Sequence, residues 1–261
     1  MSNTENKPPA PEKPKRAWWE IPARCAVLFV IIPVFFPLQW YRAAYVYTIG
    51  RFFPVTVESK MAEVEKKVQK HISLKEMPVE LRILVLKREK QVELWGKFSN
   101  GKWKKLNYYV ILAITEDQGP KIHKDDKKTP EGIYDISSMD LNTPYYLAVN
   151  LKFPSEADIA IAKKEGRDPE TLNGRFMIHG IAFTRNNIML SNGALDEIFY
   201  MLAKVGLSKA KILISPYDFR KYDLPGSVTP EWIQARYKLM KDEMLPLKED
   251  KENNNAETGK N

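Results

Sequence analysis

Apolar positions fall into three regimes along this chain. Residues 1–24 are polar and rich in Pro and Lys (Lys7-Pro8-Pro9, Lys13-Pro14-Lys15-Arg16). Such a segment buries too little apolar surface to offset its ordering entropy, which predicts a disordered tail. From Cys25 to Tyr41 the chain is apolar and uncharged for 17 residues, with Trp18-Trp19 and Trp40-Tyr41 at its flanks. Together with these aromatic flanks the run reaches the roughly 20 residues a bilayer span requires. Pro33 and Pro37 suit a membrane helix better than a soluble core helix. No small-x-small cleavage site closes the run, and it is long for a signal core. Arg24 directly before Cys25 argues against a lipoprotein signal. The pattern predicts an uncleaved anchor at 25–41. Five Lys/Arg precede it (Lys7, Lys13, Lys15, Arg16, Arg24), and Arg42 and Arg51 are the first to follow. The positive-inside rule then leaves residues 1–24 cytoplasmic and sends the rest across the membrane.

The third regime is globular. Residues 42–55 are amphipathic and aromatic, suited to lie along a membrane interface. Met61, Val64 and Val68 recur at helical spacing among Lys and Glu, so 57–72 reads as a charged helical stalk within a juxtamembrane segment, 42–77. A domain follows over 78–220. Its predicted strands are Leu81–Leu86, Gln91–Trp95, Tyr108–Ile114, Gly132–Ile136, Tyr145–Asn150, Arg175–His179 and Lys211–Ile214, with turn signals at Lys87–Lys90 and Ser99–Lys102. Leu195–Val205 reads as a helix capped by Ser191 or Asn192. A C-terminal helix, Pro230–Met244, falls in 221–246, and the charged, Asn-rich residues 247–261 read as a second disordered tail. There are no internal repeats.

Composition narrows the chemistry. The chain has 261 residues and a net charge of +8, but its 41 Lys+Arg are interspersed with 33 Asp+Glu. That describes a solvated surface rather than a nucleic-acid footprint. Cys25 is the single cysteine and lies in the apolar run, so no disulfide, Cys-rich zinc site or thiol chemistry is available to the globular part. The three histidines (His71, His123, His179) include no helical pair, and His123-Lys124-Asp125-Asp126 reads as a solvated loop. No metal or cofactor is expected.

Three segments resemble one family. Lys128-Thr129-Pro130-Glu131-Gly132-Ile133-Tyr134, preceded by Asp126, is similar to the KTPEGxY segment of the L,D-transpeptidase (YkuD-type) catalytic domain, in particular its YafK-like branch. Asn150-Leu151-Lys152-Phe153-Pro154, with Asp158, resembles that branch's N-I-x-Y-P stretch, and Met177-Ile178-His179-Gly180 resembles its I-H-G segment. Order and spacing agree apart from an insertion around Lys163 to Pro169, and the resemblance spans roughly Pro78 to Arg220. It implies a mainly β (α+β) fold, an L,D-transpeptidase-like β-sandwich with packed helices, behind one transmembrane helix and a short stalk. It also implies bacterial cell-wall peptidoglycan as the setting. His179, followed by Gly180, would be the acid/base, and Asp126, Thr129, Pro130, Glu131, Gly132 and Tyr134 would line the substrate site.

The sequence departs from this family at the nucleophile. Family members attack the amide carbonyl with a thiolate beside an imidazole, in a Ser-x-Gly-Cys segment after I-H-G. An ungapped register from His179 puts Asn187 at the Cys position, within Thr184-Arg185-Asn186-Asn187. A longer register aligns Ser191-Asn192-Gly193-Ala194 instead and puts Ala194 there, but leaves almost no room before the helix. Either way no thiol is present. Thr184, Ser191 and Thr143 carry hydroxyls that His179 could activate, although a hydroxyl needs stronger base assistance and no orienting Asp is marked.

Three readings follow. The first is a catalytically degenerate member at the bacterial inner membrane, single-pass with its C-terminal domain outside the cytoplasm, binding stem peptides or a wall-enzyme partner. The second is a surviving transpeptidase or carboxypeptidase with a non-Cys nucleophile. The third is a structural membrane-tethered interaction module.

Overall fold

The computed structural model describes residues 38–72, 74–115, 119–172, 174–181, 187–226 and 229–248. The chain divides into two units, Met1–Tyr41 and Arg42–Asn261. Of the first, the structure describes residues from Leu38, where helix α1 (Leu38–Tyr47) begins. The expected tail over 1–24, residues 25–37 of the expected anchor and residues 249–261 of the tail expected over 247–261 lie outside the described residues, while Leu247 at the start of that tail is buried in the core. Among the described residues no helix is long and apolar enough to cross a membrane.

The second unit is a mixed α+β domain built on β1 (Glu80–Leu86), β2 (Gln91–Lys97), β3 (Trp103–Val110), β4 (Gly132–Asp140), β5 (Ala148–Leu151), β6 (Met177–His179), β7 (Ile188–Met189) and β8 (Ala210–Ser215). They form one eight-stranded sheet in the order β3-β2-β1-β8-β4-β5-β6-β7. Just beyond β3 the sheet meets its other edge: Leu112 N donates to Met189 O (2.8 Å) and Met189 N donates to Ala113 O (2.9 Å). The strands thus curl until the two ends touch. The expected β-sandwich with packed helices is instead one continuous curled sheet with packed helices. The reason lies in β4, whose first half pairs with β8 and whose second half pairs with β5 across a register shift between Ile136 and Ser138. Such an irregularity bends a strand and raises its twist, so one strand serves both halves.

The sheet is buried on both faces. Leu81, Ile83, Val85, Val92, Leu94, Ile212 and Ile214 face the larger core, while Leu84, Leu86, Trp95 and Leu213 face the smaller one. That alternation is the period of two dictated by the strand pleat. Helix α4 (Asn192–Val205) supplies Leu195, Ile198, Phe199 and Leu202 to the larger core. Helix α5 (Glu231–Met244) covers the smaller one with Tyr237, Met240 and Met244. The helix expected as a stalk, α2 (Val57–His71), is built into the domain, with Val64 and Val68 in the larger core. Its start is fixed by a capping box in which Thr56 and Ser59 exchange hydrogen bonds. A further helix, α3 (Glu156–Lys164), ends where the insertion around Lys163 to Pro169 begins and is likewise capped, by Ser155 and Asp158. The expected α+β class holds as a mixed α+β fold rather than a mainly β one, because α2 packs against α4 over the larger core and α5 packs on the sheet over the smaller one.

Candidate active site

His179 ends β6, held between β5 (Ala148 opposite) and β7 (Met189 opposite), and is fully buried. Its Nδ1 lies 2.7 Å from the carbonyl oxygen of Gly180. A carbonyl can only accept, so Nδ1 carries the proton and Nε2 of the neutral ring bears a bare lone pair. Nε2 has no hydrogen-bond partner among the described residues, although it is buried. Burial pushes the imidazole's pKa down, and the contact with Gly180 O, which favours the charged ring, offsets this in part. The result is a neutral imidazole with a basic nitrogen that no described residue uses.

Three neighbours shape this site. The Tyr145 ring packs on the imidazole, with centroids 5.0 Å apart and planes tilted by 46°. Gly180 N donates to Leu147 O at 3.2 Å, which ties the turn after β6 to the end of the same loop. A Cβ on Gly180 would lie 2.5 Å from Asn192 Oδ1 and 2.9 Å from Tyr145 O, so close approach of backbone explains the glycine. Asn192 Oδ1 accepts from Ile181 N at 3.1 Å, pinning the start of α4 beside the same turn.

The loop carrying Tyr145 is gripped from the chain's earlier segment. Arg42 donates through Nε to Thr143 O (3.2 Å) and through a terminal nitrogen to Tyr146 O (2.6 Å). Val55 and the Asn142 carboxamide exchange two hydrogen bonds, of 2.8 and 3.0 Å. Lys60 donates to Tyr146 Oη (2.7 Å) and pairs with Asp196 Oδ1 (2.8 Å), to which Tyr146 Oη also donates (2.8 Å). Burial disfavours the Lys60 ammonium, but Asp196 and Tyr146 outweigh it and raise its pKa. Tyr146 has φ of 74°, a left-handed conformation that a non-glycine residue adopts only when its surroundings hold it there.

The positions implied by the resemblance are distributed as follows. Asn187 is half-buried beside β7 and its Oδ1 accepts from Met177 N at 3.1 Å. Ala194 sits in the first turn of α4, its N–H capped by Ser191 Oγ (3.2 Å). Thr184 lies outside the described residues, as does Cys25. Thr143 is buried, its hydroxyl accepting from Tyr145 N at 3.4 Å.

The segment around Glu131 is committed to the scaffold. Asp126 gathers Lys121, the N–H groups of Ile122 (2.8 Å) and His123 (3.1 Å), and that of Lys128 (3.0 Å). Burial would raise the Asp126 carboxyl, but Lys121 and these N–H groups outweigh it and hold the pKa below its ordinary value. Glu131 is fully buried: Lys87 Nζ (2.9 Å) and Gly119 N (3.1 Å) donate to Oε1, and Tyr237 donates to Oε2. Its carbonyl accepts from Tyr134 Oη (3.1 Å) and Arg236 (2.8 Å). Thr129, Pro130, Gly132 and Tyr134 are buried too, and Gly132, at φ of 154°, would push a Cβ to 2.9 Å from Tyr134 Oη. Among the described residues no hydrogen bond or ring contact joins this group to His179.

The sequence pattern does not mark Tyr145, Tyr146, Arg42 or Lys60 as neighbours of the His179 site, and it marks Asn192 only as a helix cap and within the longer register. Asn142-Thr143-Pro144 was the available signal, a turn former between two strand patterns.

A strand-end histidine whose Nε2 is bare among the described residues, on a curled sheet in the sequence context I-H-G, agrees with the resemblance to the L,D-transpeptidase domain. No family model matches the chain. Over 144 residues, 54% of this chain, it is 29% identical to "Putative L,D-transpeptidase YafK" of Escherichia coli K12, and equally to that of strain O157:H7. The stretch is thus similar to the YafK-like branch, while the one cysteine of this sequence, Cys25, lies outside the globular part. The match takes in 55% of those relatives, so the chain spans about half the length of the curated relatives it matches. Among solved structures, the helical cell shape determining protein Pgp2 of Campylobacter jejuni is 22% identical with a TM-score of 0.43, covering 62% of this chain and 57% of that one. Bd1075 of Bdellovibrio bacteriovorus is 17% identical with a TM-score of 0.39, covering 62% and 55%.

Proposed function

We propose that this chain is a membrane-anchored, catalytically degenerate L,D-transpeptidase-like protein of the bacterial cell wall. It binds peptidoglycan stem peptides, or an enzyme that acts on them, without making cross-links. The observation that carries this reading is a base retained without the family's thiol. His179 keeps a buried, neutral imidazole whose Nε2 is free among the described residues, while in the ungapped register the nucleophile position falls on Asn187, whose Oδ1 accepts from Met177 N. Acyl transfer needs an activated nucleophile beside that base, and the one thiol in the sequence is Cys25. The names of the curated relatives support the family's acyl-transfer setting, and the apolar run at 25–41 supports the anchor.

The test is mass spectrometry of purified muropeptides incubated with the full chain, together with equilibrium binding of the same muropeptides. Saturable binding with unchanged muropeptides is the expected outcome. New cross-links or trimmed stems would overturn degeneracy. No binding would leave a tethered structural module. Nε2, unpartnered among the described residues, favours a second reading, in which His179 activates a hydroxyl for transpeptidation or carboxypeptidation. A covalent β-lactam adduct mapped to Thr184 or Ser191 would establish it.

A further inference from the structure

From Tyr45 to Val57 seven large apolar side chains are exposed, with Tyr47 at 72%, Phe52 at 78% and Phe53 at 73%. The intervening Arg51 is exposed too, and no acidic residue occurs from Arg42 through Val57. A soluble surface seldom shows so dense an apolar patch, and one this aromatic and basic matches the chemistry of a bilayer interface. There, Tyr and Phe rings sit at headgroup depth while arginines meet lipid phosphates. The patch also follows directly on the uncharged run that ends at Tyr41. It is not a loose strap. Val55 holds Asn142, while Arg42 before the patch and Lys60 after it hold Thr143 and Tyr146.

We propose that Tyr45–Val57 is a lipid-docking surface, seated in the headgroup region of an anionic bilayer and rigidly joined to the loop that packs Tyr145 on His179. A docked surface sets the height and orientation of the His179 site above the membrane, which a flexible tether would not. The proposal rests on the anchored reading for where the protein resides, but not on the anchor for its own binding.

The chain's own trypsin sites separate the two. Cleavage after Arg24, Arg42, Arg51 and Lys60 yields peptides 25–42, 43–51 and 52–60. The full chain is reconstituted into vesicles of phosphatidylethanolamine and phosphatidylglycerol carrying a photoactivatable phospholipid, irradiated and digested. Lipid adducts are expected on 43–51 and 52–60, and the Phe52→Glu/Phe53→Glu variant should lower the 52–60 adduct at least fivefold while leaving that on 25–42 unchanged. Adducts on 25–42 alone would overturn docking and keep the anchor. Adducts on 43–60 alone would keep docking and overturn the anchor. Adducts on none of the three would overturn both.

Discussion

The ring of Tyr145 lies 5.0 Å from the imidazole of His179, and the carbonyl of the next residue, Gly180, fixes the proton on Nδ1. Together they bury the histidine in its neutral form. This is costly in acid, because the unfolded chain takes up a proton that the folded chain resists.

The pH dependence follows in sign. An unfolded histidine titrates near about 6.5. The folded value is depressed, so this residue's contribution to stability is complete above that pH. It is lost as pH falls from about 6.5 through the lower folded value. The His179→Gln variant removes the titrating group, so the stability difference between wild type and variant should change between pH 7 and pH 5 and stay flat above pH 7. Denaturant melts across that range check this. A difference that is flat throughout would mean the imidazole is not depressed.

Glu131 should behave as a structural residue. Its carboxylate satisfies Lys87, Gly119 and Tyr237 in a fully buried setting. Glu131→Ala strands those groups, and breaking a buried pair typically costs about 3–5 kcal/mol. Urea denaturation should show a loss of that order. Glu131→Gln, which keeps the shape and an acceptor, should lose less. A stable Glu131→Ala variant with altered muropeptide binding would instead make the carboxylate a ligand contact.

Gly180→Ala should destabilise by overpacking, roughly 1–3 kcal/mol, because its Cβ would meet Asn192 Oδ1 and the Tyr145 carbonyl. Adding Asn192→Ala removes one obstacle and leaves the backbone one. The double variant should therefore recover part of the loss, read by thermal melts. Full recovery would show that Tyr145 O is not a rigid wall.

The glycine illustrates how much was legible in advance. The segment Met177–Gly180 could be recognised because a short motif names its own residue types, and the strands Leu81–Leu86 and Lys211–Ile214 announced themselves by apolar runs. β7 is two residues long and could not show a period, so the strand that closes the sheet was missed. The helical spacing of Met61, Val64 and Val68 was visible, yet whether that face met solvent or core was not. Its partners on α4 lie more than a hundred residues away. Tyr145–Tyr146 looked like the start of a strand, because β-favouring aromatics carry no mark of the left-handed φ that Lys60, Asp196 and Arg42 impose on Tyr146. The grip on the His179 loop is tertiary in origin, and a local pattern cannot encode it.

The nucleophile register can be decided with a thiol. In a Cys25→Ser background, Asn187→Cys and Ala194→Cys each place the one thiol of the protein at a rival position. Asn187→Cys gives up the Met177 N hydrogen bond, a net loss of about 1 kcal/mol that a packed domain can absorb. The bare Nε2 of His179 can take the proton of a nearby thiol, which stabilises the thiolate as an ion pair and lowers its pKa below the ordinary value of about 8.5. Iodoacetamide should therefore label Asn187→Cys with a pH midpoint below that of a free thiol, and adding His179→Gln should return the midpoint upward. The thiol at 194 would start a buried helical turn and should react slowly at every pH. Turnover on muropeptides should stay poor even when labelling succeeds. Asn186 stands where the resembling family has Gly, and one misplaced oxyanion donor costs about 10²–10³ in rate. Faster, His179-dependent labelling at 194 would move the nucleophile position there and discard the Asn187 register.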